Sequence, residues 1–392
     1  MDDLDISGLD AQDLGEFRTK LDAWLDEHDA ELAPEHSGLG TLDEQMAQLA
    51  KVKRLTYDAG WMRWGWPERV GGLGGTSLFR AYLGEALTVR AVVEPGIYSM
   101  TEVLAPTMID YAPPELAAAM VPRLLRGDET WCQGFSEPGT GSNLASLSCR
   151  AVRDGDARGG EVWRVTGQKV WTSLAQYAQR CVLLTRTGTL ESAHRGITAL
   201  FVDMDSPGIT VRPIETMHGS PEFCEVFFDD CVVPVERTLG HEGHGWSVAM
   251  DLLPYERSTA LWHRAAYLHR RLQQLLDAVG PDALDPVSLG EVTQLLYAFR
   301  ARSRATQHRL AAGEHLGAET SIDKVLVAAA EQAVFELAAD GLAADVAIGD
   351  DGASERWRSQ YLYSRAATIY GGSAEIQRNI IARRLLDLGD DR

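Results

Sequence analysis

Apolar positions recur every three to four residues in the first third of the chain. Leu14, Phe17, Leu21 and Leu25 follow this spacing, as do Leu42, Met46, Leu49 and Val52, which predicts two amphipathic helices. Gly60 is placed to end the second. A further helix is predicted over 114–126, with Leu116, Met120, Leu124 and Leu125 as its apolar positions.

The period then changes. Val162-Trp163-Arg164-Val165, Cys181-Val182-Leu183-Leu184, Ile197-Thr198-Ala199-Leu200-Phe201-Val202 and Glu225-Val226-Phe227-Phe228 are short β-type runs. Gly155, Gly159, Gly160, Pro207, Gly208 and Pro213 punctuate them. No helical pattern separates these strands, so an antiparallel barrel or sandwich is expected rather than βαβ units. From about 241 the helical period returns. One long segment runs through Trp246, Met250 and Leu253 into Leu268, Leu272 and Leu275. Others cover roughly 286–313, 318–342 and 355–386, with a break at Gly349-Asp350-Asp351-Gly352. The reading is a mainly α protein with a central β-domain: a helical domain over 1–126, a β-domain over 127–236 and a helical bundle over 237–392.

With 392 residues, 45% of them hydrophobic, the chain is long enough for two or three domains with large cores. No apolar run approaches the roughly 18 residues of a membrane span. The start, Met1-Asp2-Asp3-Leu4-Asp5, lacks the basic residues of a signal peptide, which makes the cytoplasm the default compartment. The formal net charge of -20 argues against a nucleic-acid partner, since phosphate binding needs a basic surface. It also means that an anionic ligand would need local cations. The five cysteines, Cys132, Cys149, Cys181, Cys224 and Cys231, form no Cys-x-x-Cys pair and read as small buried apolar residues. His241-Glu242-Gly243-His244 lacks the spacing of a helical zinc site and reads as a loop.

Three stretches carry candidate chemistry. Phe135-Ser136-Glu137-Pro138-Gly139-Thr140-Gly141-Ser142-Asn143 sets glycines and hydroxyls where helices give way to strands. Free amides and hydroxyls there suit phosphates or polar ring edges, although a glycine-rich turn is as readily structural. Gly167-Gln168-Lys169-Val170-Trp171-Thr172-Ser173 places a tryptophan beside two hydroxyls. It reads equally as a core tryptophan or as the wall of a planar cofactor. In Ile369-Tyr370-Gly371-Gly372-Ser373-Ala374-Glu375-Ile376-Gln377-Arg378, Tyr370-Gly371-Gly372 is a turn. Ser373 is a helix N-cap, and Glu375 lies in the first turn.

Together, and in this order, the three stretches resemble those of the acyl-CoA dehydrogenase family. Pro67-Glu68 with Gly71-Gly72-Leu73-Gly74-Gly75, Val232-Val233-Pro234, and Gly240 with Gly243 and Gly245 extend the resemblance over about 60–386. It implies an N-terminal helical domain, a middle β-domain and a C-terminal four-helix bundle, with FAD between the last two and no Rossmann turn. Gly72-Leu73-Gly74-Gly75 follows no convincing strand, so it is not read as a dinucleotide turn.

The resemblance also implies roles, position by position. Phe135 and Ser136 match residues that meet the flavin pyrimidine edge, and Ser142 a serine near the FAD phosphates and the acyl-CoA. Trp171 matches the tryptophan beside the isoalloxazine ring, and Ser173 a threonine aimed at flavin N5. Ser373 and Glu375 match FAD-contacting positions. Tyr370 and Arg257 match residues beside the substrate, the latter near its CoA portion. The Gly371 amide matches the N–H that, with an FAD hydroxyl, holds the thioester oxygen, in the manner of an oxyanion hole.

The reaction needs a base for the α proton while a hydride leaves the β carbon for the flavin. Many members carry a glutamate directly after the tyrosine of the last motif, where this chain has Gly371. Isovaleryl- and long-chain-type members carry it instead in a Glu-Arg pair, matched here by Glu256-Arg257. Glu256 shares a helical face with Trp246, Met250, Leu253 and Ala260. A carboxyl there is either salt-bridged or raised in pKa toward the range of a general base. Pro254 removes a helical hydrogen bond just before it.

Two of the family's FAD contacts are missing. The stretch Asp285-Pro286-Val287-Ser288-Leu289-Gly290 lacks an arginine followed by Phe-Gly, and no Gln-x-x-Gly-Gly loop follows later. The resemblance implies an acyl-CoA substrate, an electron-transfer flavoprotein as acceptor and a homodimer or homotetramer. A flavin monooxygenase or oxidase on the same fold, and an FAD-poor partner subunit of a heteromeric dehydrogenase, are the alternatives.

Overall fold

A computed structural model describes residues 13–36, 40–155 and 160–389; residues 1–5 and Gly159, used above, lie outside them. Seven helices come first: α1 Leu14–Glu27, α2 Asp29–Leu32, α3 Leu42–Asp58, α4 Ser77–Val89, α5 Pro95–Tyr98, α6 Met100–Tyr111 and α7 Pro114–Arg126. Local signals explain their bounds. Asp13 accepts the Glu16 amide at 2.8 Å, and Thr41 and Glu44 form a reciprocal capping box at the start of α3. Gly60 follows α3 at φ 87°, a left-handed conformation open to glycine. Phe17, Leu21, Leu25, Met46, Leu49, Val52, Leu124 and Leu125 are buried in one core, as the periodicity predicts.

Eight strands follow: β1 Trp131–Gly134, β2 Arg150–Gly155, β3 Glu161–Ser173, β4 Arg180–Arg186, β5 Ile197–Asp203, β6 Ile209–Ile214, β7 Phe223–Pro234 and β8 Thr238–Leu239. They form one sheet in the order β6-β7-β3-β2-β4-β5-β8, with β1 beside β4. Most pairings are antiparallel, but β1 and β2 each run parallel to β4. The barrel or sandwich of the sequence reading is thus a single open sheet whose two halves fold over a shared core. Trp163, Val165, Val226 and Phe228 from one half meet Cys132, Leu183, Leu200 and Val202 from the other. All five cysteines are buried and free.

The chain finishes in α8 Gly245–Glu256, α9 Thr259–Val279, α10 Pro286–Ala311, α11 Thr320–Leu342, α12 Ala344–Ile348, α13 Gly352–Ser364 and α14 Ala374–Ile380. Helices α9, α10, α11 and α13 pack around Leu268, Leu272, Leu296, Phe299, Val334, Phe335 and Trp357. Two predicted continuities break. The long segment from 246 to 275 splits at Arg257–Ser258, where Ser258 leaves helical geometry at φ −120°, ψ −95°. The segment over 355–386 splits around Gly371 and Gly372, at φ 62° and 89°. Both breaks lie at the candidate site. Among the described residues no helix is long and apolar enough to cross a membrane, and no cluster of metal-ligating side chains occurs.

Candidate active site

The site has two walls. The first belongs to the sheet. Phe135–Asn143 leaves the end of β1 and doubles back at Pro138-Gly139, where Glu137 and Thr140 exchange backbone hydrogen bonds of 2.8 and 3.0 Å. Glu137 pins this loop to the sheet. Its carboxylate accepts the Ser148 and Cys149 amides at 2.7 and 2.8 Å and pairs with the fully buried Lys169 ammonium at 2.8 Å. Lys169 also donates to Phe135 O at 3.1 Å. Burial would raise the Glu137 carboxyl, but the Lys169 charge and these hydrogen bonds outweigh it and hold it below the usual range. Ser136 is half-buried and its carbonyl accepts the Val170 amide at 3.0 Å, whereas Ser142 lies exposed on the outer limb.

Next to this loop the ladder between β3 and β7 slips by a bulge between Lys169 and Thr172. Trp171 sits on the bulge at φ 59° and is 58% exposed. A bulky side chain in the left-handed region costs about 1–2 kcal/mol, and such strain gathers at ligand sites. Trp171 is therefore exposed on this edge of the sheet and not part of the core. Ser173 follows it, half-buried. Beside this edge Gln133 Oε1 and Thr140 Oγ1 are buried without a hydrogen-bond partner, an uncommon state that a polar ligand would relieve. An acceptor and a hydroxyl so placed fit the polar edge of a flavin.

The second wall belongs to the bundle. Glu256 is the last residue of α8, set just before the Arg257–Ser258 break. Pro254 does not turn it away: a β-carbon built on Gly371 would lie 2.7 Å from Glu256 Oε1 and 3.1 Å from Lys324 Cε. The carboxylate thus reaches the position from which the family's more common glutamate would project. Arg257 does not form a salt bridge with Glu256. It donates instead to Gly371 O at 3.0 Å. Burial pushes the Glu256 carboxyl above its ordinary range, and the charges of Arg257 and Lys324 offset only part of this.

Further groups close the site from behind. Lys324, on α11, is buried with its ammonium 4.3 Å over the Tyr370 ring and bonded to Ala367 O. The Tyr370 hydroxyl donates to Glu331 at 3.4 Å, and Arg264 holds Glu331 through both carboxylate oxygens. Ser373 caps α14 by accepting the Ile376 amide at 3.4 Å. Glu375 is exposed, so its side chain lies outside this cluster. The walls meet where the loop before β7 docks on α13: Ser359 Oγ donates to His218 O at 2.8 Å, and Glu222 hydrogen-bonds Tyr363. Of two surface clefts, the one around Arg150 and Arg153 shares only Ser148 with these residues and the one around Asp110 and His244 shares none.

Sequence reasoning missed Glu137, Lys169, Lys324, Glu331 and Gln377. The last is fully buried and donates to Gly371 O at 3.4 Å. The available signal was charge on otherwise apolar stretches: Lys324 and Glu331 interrupt a helix whose remaining inward residues are largely Val, Ala and Phe.

Helices, a folded sheet and a helical bundle thus follow one another along the chain, with the Glu256 carboxylate set on the bundle side of their junction. Family profiles for the acyl-CoA dehydrogenase middle domain and C-terminal domain match residues 132–231 and 243–386. The chain is 36% identical over 386 residues to acyl-CoA dehydrogenase IpdE1 of Mycobacterium tuberculosis, covering 96% of this chain and 98% of that one. Among solved structures, the Tcur3481-Tcur3483 steroid ACAD shares the fold with a TM-score of 0.80 at 24% identity, covering 98% of this chain and 100% of that one. The ChsE4-ChsE5 complex from Mycobacterium tuberculosis gives 0.77 at 25% identity, covering 99% and 100%. The chain belongs to the acyl-CoA dehydrogenase family.

Proposed function

We propose that this chain carries out FAD-dependent α,β-dehydrogenation of an acyl-CoA thioester to the trans-2-enoyl-CoA, with Glu256 as the base. The observation that carries the reading is the convergence of Glu256 Oε1 on Gly371. The carboxylate removes the α proton, and burial gives it a proton affinity suited to that task. The Gly371 amide receives the thioester oxygen as it gains charge. Arg257, through Gly371 O, holds that amide in place and lies toward the CoA portion. Tyr370 lines the substrate side.

Bound FAD supplies a two-electron acceptor for the β-hydride. Phe135, Ser136, Ser142, Trp171, Ser173, Ser373 and the backbone around Glu375 are the groups that would hold it. An electron-transfer flavoprotein is the proposed acceptor in turn. A bulky acyl group is proposed by resemblance, in keeping with the steroid named for one structural neighbour.

A paired assembly is a second reading favoured by particular observations. Two similar structures, Tcur3481-Tcur3483 and ChsE4-ChsE5, each carry a two-part name, and this chain lacks the Arg-Phe-Gly and Gln-x-x-Gly-Gly contacts. Anaerobic titration of the purified chain against a panel of acyl-CoAs tests both readings. A yellow protein that bleaches supports the enzyme acting as a homo-oligomer. A colourless protein that gains FAD and bleaches only with a second chain supports the pair. An FAD-loaded protein, alone or paired, that no acyl-CoA reduces would overturn the dehydrogenase reading.

A further inference from the structure

Glu256 and Lys324 meet at one point. The stem of Lys324 and the carboxylate of Glu256 flank the same position above Gly371, at 3.1 and 2.7 Å. Lys324 is 4% exposed, yet no carboxylate lies within salt-bridge distance of it among the described residues. Its ammonium is spent on Ala367 O and the Tyr370 face. The buried acids on its own helix are engaged elsewhere, Glu331 by Arg264 and Asp323 by Arg302. A buried ammonium without an ion-pair partner is costly, which makes a purely packing role a poor use of lysine.

We propose that Lys324 is a positioning residue for the proposed base: its charge, added to that of Arg257, keeps the Glu256 carboxylate ionised in the space above Gly371. The inference rests on Glu256 being the base.

The groups facing the pair are few. Arg257 approaches from the α8–α9 turn, Arg264 from α9, Glu331 from α11 and Tyr370 from the loop before α14. Arg257 is committed to Gly371 O and Arg264 to Glu331. Arg257 and Lys324 are the two cations whose charges act on Glu256, and the Lys324 stem is the one that shares the space above Gly371 with its carboxylate. Burial draws the Lys324 ammonium down to about 8, against the pull of Glu256 and Glu331, so it remains charged at neutral pH.

The test follows flavin reduction by acyl-CoA against pH in FAD-loaded Lys324→Met, Lys324→Arg and Glu256→Gln proteins, each checked for FAD content and circular dichroism. Infrared difference spectra between acid and alkaline pH add a readout without turnover, since the carboxylic-acid band lost in Glu256→Gln belongs to Glu256. Lys324→Met should move the acid limb of the rate, and the Glu256 band with it, about one unit to higher pH, roughly a tenfold loss below that limb. Its rate on the alkaline plateau should stay within about threefold, a margin under 1 kcal/mol of barrier. Lys324→Arg should keep the limb in place. An unmoved limb and band in Lys324→Met, with Glu256→Gln inactive at every pH, would overturn the Lys324 role alone. A near-normal rate in Glu256→Gln would overturn the base assignment instead. Should Lys324→Met not fold, the same criteria apply to Lys324→Gln.

Discussion

Glu256 Oε1 stands 2.7 Å from the place where a side chain at position 371 would begin. The two positions are 115 residues apart in the chain, and each explains the other. Glycine at 371 leaves the space, and the break after α8 brings the carboxylate into it. A positive φ of 62° at Gly371 suits glycine on its own account, because an L-residue there meets its own carbonyl.

Glu256→Gln is expected to keep the fold and the FAD, since the amide is nearly isosteric. Stopped-flow reduction by acyl-CoA should slow by about 100-fold or more, the low end for a positioned base. Substrate binding should survive, because the oxygen contact comes from the Gly371 amide. Were Glu256 only structural, stability would drop while the rate per folded molecule stayed near normal.

Gly371→Ala tests the geometry from the other side. The added carbon would press on Glu256 Oε1 and Lys324 Cε in a backbone conformation that costs alanine about 1–2 kcal/mol. We expect that loss in urea unfolding and a fall in reduction rate of up to about 100-fold from the displaced base. In a Glu256→Gln background the same change should slow the reaction little further, because the group it displaces no longer acts. A full additional loss would show that position 371 works independently of Glu256.

Much of this was legible in the residues. The helical period marked α1, α3, α7 and the bundle helices, and the Glu-Arg pair after the glycine-rich stretch marked Glu256. The breaks after α8 and at Gly371 were harder to read. Apolar spacing continues across Arg257–Ser258, so periodicity sees one helix where the backbone turns. The open path of the sheet depends on β1 and β2 both running parallel to β4, a pairing that alternation within a strand does not encode. Lys169 and Lys324 were missed for one reason: each is a cation on an apolar element whose partner comes from a distant segment.

The Glu137–Lys169 pair provides a stability test. Both side chains are buried and 2.8 Å apart. Lys169→Met leaves the Glu137 carboxylate without its counter-charge and should destabilise the protein by about 3–5 kcal/mol, with loss of retained FAD as the loop loosens. Adding Glu137→Gln removes the stranded charge while its amide oxygen still accepts from one of the Ser148 and Cys149 amides, which bond different oxygens of the parent carboxylate. The double variant should therefore recover part of the loss in urea unfolding. A double variant less stable than Lys169→Met would contradict this account.

Glu222 sets a pH dependence whose sign follows from its surroundings. It lies in the loop before β7, hydrogen-bonded to Tyr363, and burial raises it from an ordinary 4.5 to about 7, with Tyr363 and the Arg264 charge only partly opposing. Below about 4.5 the folded and unfolded chains both hold this proton. Between about 4.5 and 7 the unfolded chain releases it while the folded chain keeps it, so Glu222 makes stability fall as pH rises through that window. Above about 7 both forms are ionised and the loss is constant. Glu222→Gln cannot ionise and keeps a carbonyl oxygen for Tyr363. Its stability should match that of the parent near pH 4.5 and exceed it at pH 8 by on the order of 2 kcal/mol. Urea midpoints at the two pH values measure the difference. An equal gap at both would mean that Glu222 is already ionised in the folded protein at acid pH, held down by Arg264 more strongly than burial holds it up.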